Sequence, residues 1–152
     1  MGEKDWPQGL SMRLRTAISL LTPRRWWEVE PALPEYSIDV ERRLVSVKFG
    51  SSITAGTIEA YTAALRVDPA FQPEFSELID LCGVKRLKIE AEDALKLADY
   101  VDPFSKTAKR AFVAHSGAQV HAARMHQLLC DSNIRIFESV DAAMAWIAAS
   151  QA

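Results

Sequence analysis

The chain has 152 residues, 49% of them hydrophobic and 25% charged, with 18 Lys+Arg against 20 Asp+Glu for a net charge of −2. That length suits one domain with a real core, and the charge balance lacks the basic excess of an electrostatic nucleic-acid binder, so no nucleic-acid partner is expected. No apolar run approaches the ~18 residues of a membrane-crossing helix, and the polar start Met1-Gly2-Glu3-Lys4-Asp5-Trp6 has no signal-peptide core, so a cytoplasmic location is expected.

Residues 1–34 read as an extension, and residues 35–152 as the domain. The extension holds Pro7, Pro23, Pro31 and Pro34 together with Trp6, Trp26 and Trp27. Leu10, Leu14, Ala17, Ile18 and Leu21 fall on one stripe of a 3.6-residue period, which predicts a short amphipathic helix that Pro23 ends. Four arginines and no acid lie between Leu10 and Trp27. Arg24, Arg25, Trp26 and Trp27 therefore form a candidate interaction arm. It suits packing on its own sheet, on a second subunit as a homodimer, or on a membrane surface.

From Glu35 the periods sharpen. Tyr36, Ile38 and Val40 alternate with Ser37, Asp39 and Glu41, and Val45, Val47 and Phe49 alternate with Ser46 and Lys48. Each predicts a strand, and the short Arg42-Arg43 link predicts an antiparallel hairpin. Thr54 can cap a helix over 55–66 with Ile58, Tyr61 and Leu65 on its apolar face, which Asp68-Pro69 stops. Residues 75–81 predict a strand entering Cys82-Gly83, and 84–89 a weakly extended approach. Ala91 to Leu97 predicts a helix, and Asp102-Pro103 a turn. Arg110 to Ala114 predicts a short apolar strand buried on both faces. Ser116-Gly117 opens a long helix to about Cys130, Ile134 to Ile136 a last strand, and Ser139 caps a final helix with Asp141 in its first turn. Strands alternating with helices predict an α/β fold with a mixed, mostly parallel five-stranded sheet, an opening antiparallel hairpin at an edge, and about four helices.

Five blocks then carry a resemblance. They are Ile53-Thr54-Ala55 with residues 65–71; Leu78-Ile79-Asp80-Leu81-Cys82-Gly83-Val84; Asp102-Pro103-Phe104 with residues 110–114; Ala123-Arg124-Met125-His126-Gln127-Leu128; and Ile134-Arg135-Ile136-Phe137 with residues 142–147. As a set, over about residues 35–149, they resemble the SpoIIAA-like proteins of bacteria. These are small domains related in fold to STAS domains (sulfate transporter and anti-sigma factor antagonist), and their fold also resembles the lipid-carrying CRAL-TRIO domain. The resemblance implies a STAS-like fold and no established catalytic residues. Regulatory STAS proteins carry a phosphorylated Ser where a strand meets a helix. The matching junction here, Lys88-Ile89-Glu90-Ala91-Glu92, has no hydroxyl, which argues against a phospho-switched antagonist.

The remaining candidates for chemistry are few. Cys82 and His115 each end a strand, at the edge where open α/β sheets bind ligands, so Cys82, His115 and Ser116 form a candidate pocket rim. A Cys82–His115 nucleophile and base pair would need a contact that sequence cannot show. Ser116 lacks the Gly-x-Ser-x-Gly of a nucleophile elbow and reads as an N-cap. His121 and His126 stand five residues apart, about 140° round a helix, and so do not converge on a metal. Cys82 and Cys130 read as small side chains, not a disulfide framework. No phosphate-cradling glycine loop is present, and Lys85, Arg86 and Lys88 read as a solvated loop. The expectation is a non-enzymatic bacterial module that needs no cofactor and binds a partner protein or a small apolar ligand. A lipid or apolar-ligand carrier, and a small enzyme using Cys82 or His115, are the alternatives.

Overall fold

A computed structural model describes residues 33–90, 92–93, 102–129 and 133–149. The candidate arm, the predicted helix at 10–21 and Cys130 lie outside the described residues, as does nearly all of the predicted helix at 91–97.

In chain order the elements are β1 (Glu35–Asp39), β2 (Leu44–Lys48), β3 (Ser52–Thr54), α1 (Ala55–Val67), β4 (Ser76–Asp80), β5 (Arg86–Lys88), β6 (Lys109–Val113), α2 (Gly117–Leu129), β7 (Asn133–Phe137) and α3 (Val140–Ala149). Five strands form one sheet in the order β1-β2-β4-β6-β7. β1 is antiparallel to β2, and the other pairings are parallel. This is the expected mixed sheet with its antiparallel hairpin at an edge. Three helices are whole within the described residues, against about four expected, and of the helix expected at 91–97 only the helical Glu92 and Asp93 are described.

Three differences from the sequence reading have physical causes. The first strand ends at Asp39, so Val40 and Glu41 lie in the turn, not in the strand. Asp39 Oδ1 accepts the Arg42 N–H at 3.0 Å and Arg43 takes a left-handed φ of 54°, so turn geometry overrides the alternation that Val40 continues. Second, residues 52–54 and 86–88 pair in parallel as a separate two-stranded sheet, β3 with β5. Strands this short carry too little periodicity to read. Third, Arg86 and Lys88 are therefore strand residues with exposed side chains, and only Lys85 of that basic trio lies in a loop.

Strand alternation sorts the core into two layers. One face of the sheet carries Val45, Val47, Phe49, Ile79, Phe112 and Ile134, and packs with Tyr61 and Leu65 of α1 and Ala123 of α2. The other face carries Leu44, Leu78, Ala111 and Val113 and packs with Ala143 and Ile147 of α3. The central strands β4 and β6 are covered on both faces, hence their runs of buried residues. The helix caps follow the sequence. Thr54 Oγ1 accepts the Thr57 N–H at 3.1 Å to start α1, and Ser139 Oγ accepts the Ala142 N–H at 3.1 Å to start α3.

Candidate functional site

The C-terminal ends of β4, β6 and β7 meet along one edge. Backbone bonds extend the ladder there, from Leu81 N–H to Val113 O at 2.9 Å and from Ala114 N–H to Phe137 O at 3.0 Å. This register brings Cys82, after β4, beside His115, after β6. Cys82 Sγ lies 3.6 Å from His115 Nε2. The candidate pair that sequence could not join is in contact.

Its surroundings decide what the contact does. His115 Nε2 also lies 2.5 Å from the carbonyl oxygen of Glu138. A carbonyl only accepts, so Nε2 carries the proton and donates it there. The sulfur then faces an N–H, not the lone pair that a general base needs. The thiol itself is held protonated. Burial, followed by the hydrogen bond and charge of Asp80, raises the Cys82 pKa to about 11, against a lowering by Lys48. The same Asp80 accepts the Cys82 N–H through Oδ1 at 2.9 Å, and Sγ points toward Val113 O at 4.0 Å. A thiolate nucleophile needs the reverse environment, with cations near and the pKa lowered.

Ser116 is an N-cap, as the sequence suggests. Its Oγ accepts the Gln119 N–H at 3.2 Å, while Gln119 Oε1 accepts the N–H groups of Ser116 at 3.1 Å and His115 at 2.7 Å. That is a capping box with glutamine at the third helical position. The Gln119 amide then donates to Cys82 O at 3.2 Å and Val84 O at 2.9 Å. All four hydrogen-bonding functions of a side chain only 5% exposed are used, so Gln119 ties the loop after β4 to the loop after β6. The sequence reading passed over Gln119, although the spacing Ser116-x-x-Gln119 was the signal for it.

A second polar cluster, also unforeseen, lies at the opposite, N-terminal end of the central strands. Glu77 of β4, 1% exposed, sits beside Arg110 of β6, 6% exposed. Arg110 Nε donates to Glu77 Oε1 at 2.7 Å, and its Nη1 pairs with Asp102. Tyr61 O–H donates to Glu77 Oε2 at 2.6 Å. Burial, and then the charge of Glu77, raises the Tyr61 pKa well above its usual 10, which keeps the phenol a donor. The guanidinium also stacks over Phe104, 4.8 Å from the ring centre. Arg110, the first residue of the expected short apolar strand, is thus buried with the rest of it by pairing its charge. The signal was one acid and one base inside strands otherwise fit for burial on both faces, since charges there must pair.

His121 is exposed on α2, while His126 packs on Phe112 with ring centres 5.5 Å apart. The two do not converge. Burial, then the Arg110 charge, lowers the His126 pKa to about 4, with Asp102 opposing. Among the described residues no three His, Cys, Asp or Glu side chains are grouped to hold a metal ion, and no helix is long and apolar enough to cross a membrane.

The β7 edge of the sheet bears a groove. Arg124, Gln127 and Leu128 of α2 with Arg135 and Ile136 of β7 line an open depression of about 470 Å³.

The chain is similar to an uncharacterised protein of the DUF3478 family with a SpoIIAA-like fold from Shewanella loihica PV-4, known from its crystal structure. The identity is 24%, over 68% of this chain and 83% of that one, with a TM-score of 0.49. The fold named for that protein is the one that the sequence blocks resemble. No protein-family model and no curated protein matches the chain.

Proposed function

We propose that this chain is a non-enzymatic binding module whose partner is a protein or a small apolar ligand. One observation carries the reading: His115 Nε2 donates to the Glu138 carbonyl, so the best-placed base in the described residues is spent on fixing a loop. The Gln119 bonds support it, since they lock the same strand ends by hydrogen bonds within the chain. A rigid edge with exposed His115, Ser116 and Glu138 side chains offers recognition without a reactive group.

Native mass spectrometry of the full-length chain, with a denatured control, tests this. A bare protein mass, together with no substrate turnover that depends on Cys82, supports a partner-binding module. An added mass lost on denaturation that returns with a fatty acid would replace it with a carrier. The carrier reading has less support, because core side chains and the Tyr61–Glu77–Arg110 network occupy the space between α1, α2 and the sheet.

One observation favours a second reading. The 3.6 Å Cys82–His115 contact would suit an enzyme if the imidazole changed tautomer and left Glu138. Such an enzyme would lose its activity on thiol alkylation.

A further inference from the structure

Among the described residues β7 is an outer strand of the five-stranded sheet. Phe137 C=O bonds inward to Ala114, so by strand alternation Arg135 also faces β6, while Ile134 and Ile136 turn their N–H and C=O groups outward. Gln127 Nε2 already donates to the outward Ile134 carbonyl at 3.0 Å. The N–H and C=O of Ile136 are the next outward pair along the edge. Among the described residues no strand pairs with this edge, and an edge of this kind is a template for another strand.

Side chains around that pair state what the strand must carry. Leu128 is 86% exposed on the α2 side, which is a high exposure for a leucine beside an open strand. Arg124 stands four residues before it on the same helix face, and Arg135 lies on the other face of β7, where its guanidinium stacks 5.4 Å from the Trp146 ring centre. Neither arginine makes an ion pair among the described residues, so the described part of the groove sets two positive charges around one apolar step. A second copy of the chain at this edge would bring two more arginines against these, so like charges disfavour it.

We infer that β7 accepts an extended peptide as a sixth strand, with an apolar residue on Leu128 and Ile136 and acidic residues on Arg124 and Arg135. Main-chain bonds at Ile136 supply affinity, and the charges supply direction and specificity. The inference rests on the binding-module reading and gives its partner a chemical class.

The test uses the full-length chain and two fluorescein-labelled blocked hexapeptides, Thr-Leu-Glu-Glu-Val-Thr and Thr-Leu-Lys-Lys-Val-Thr, followed by anisotropy in low salt. The acidic peptide is expected to bind with a Kd on the order of 0.1 mM and the basic one at least ~10-fold more weakly. Binding should weaken as salt rises. The double variant Arg124→Glu, Arg135→Glu should reverse the preference, a gain that a misfolded protein could not show. Amide exchange at Ile136 should slow when the acidic peptide binds. Equal affinity for both peptides, no saturation by the acidic one up to ~5 mM, or an unchanged preference in the double variant would each overturn the inference. So would a dimer in sedimentation that Leu128→Lys dissolves, which would give the groove to a second copy. Failure here with no turnover from Cys82 would remove the acidic-peptide partner and leave the module. Turnover that depends on Cys82 would remove the module itself.

Discussion

Replacing Arg110 with Met removes the cation that pairs with Glu77 and Asp102 in the buried cluster at the N-terminal end of β4 and β6. Met keeps much of the aliphatic stem but loses the guanidinium that stacks over Phe104, so the change removes the charge and that ring contact together. Asp102 reaches water, with its side chain 27% exposed, and loses little. Glu77 is left as a buried carboxylate with the Tyr61 hydroxyl and, among the described residues, no counter-charge. Breaking a buried pair from one side costs about 3–5 kcal/mol, against a total stability of roughly 5–15 kcal/mol for a domain of this size. At ~3–5 °C per kcal/mol, the melting temperature should fall by ~10–20 °C. Urea unfolding followed by circular dichroism measures the loss directly. Adding Glu77→Leu to Arg110→Met should recover part of it, because the orphaned charge is then gone. A single variant within ~0.5 kcal/mol of the parent, or a double variant worse than the sum of its parts, would refute this account of the cluster.

Other consequences follow from the same geometry. Because burial lowers the His126 pKa from 6.5 to about 4, the folded state resists the proton that the unfolded chain takes. This part of the stability is complete above pH 6.5 and is lost as the pH falls toward 4, with a ceiling of ~3 kcal/mol. A His126→Leu variant should lose less stability than the parent between pH 7 and pH 4, and equal losses would contradict the assignment. Gln119→Leu leaves two N–H and two C=O groups without their side-chain partner. It should cost about 2–4 kcal/mol in denaturant and speed amide exchange at His115 and Ser116. Ser139→Ala removes the cap of α3 and should cost about 1 kcal/mol by the same measurement.

Much of the fold is written in local periods. The hairpin, the Thr54 and Ser139 caps and the face of α1 that carries Tyr61 and Leu65 all follow from spacing within a few residues. What escaped the sequence depends on partners far along the chain. Ile53 pairs with Leu87 across 34 positions in strands too short to show a period. Glu77 meets Arg110 across 33 positions, and each alone looks like an exception in an apolar strand. The site was legible in the same uneven way. Strand ends place Cys82 and His115 on one edge, but only the register of β4 with β6 sets their contact, and only the loop after β7 supplies the Glu138 carbonyl that decides the tautomer. Val40 failed for the opposite reason, since its alternation was correct and the turn chemistry of Asp39 and Arg43 overrode it.

The most direct test of the central claim, that the Cys82–His115 contact is a structural tie and not a catalytic pair, is the pH profile of Cys82 alkylation by iodoacetamide in a Cys130→Ser chain. A thiol whose pKa is raised to about 11 should react slowly at pH 7.5, and its rate should climb without levelling up to ~pH 10. His115→Ala should leave that profile nearly unchanged. A fast rate that levels off with a midpoint below ~pH 8, and collapses in His115→Ala, would show an imidazole-activated thiolate and contradict the account.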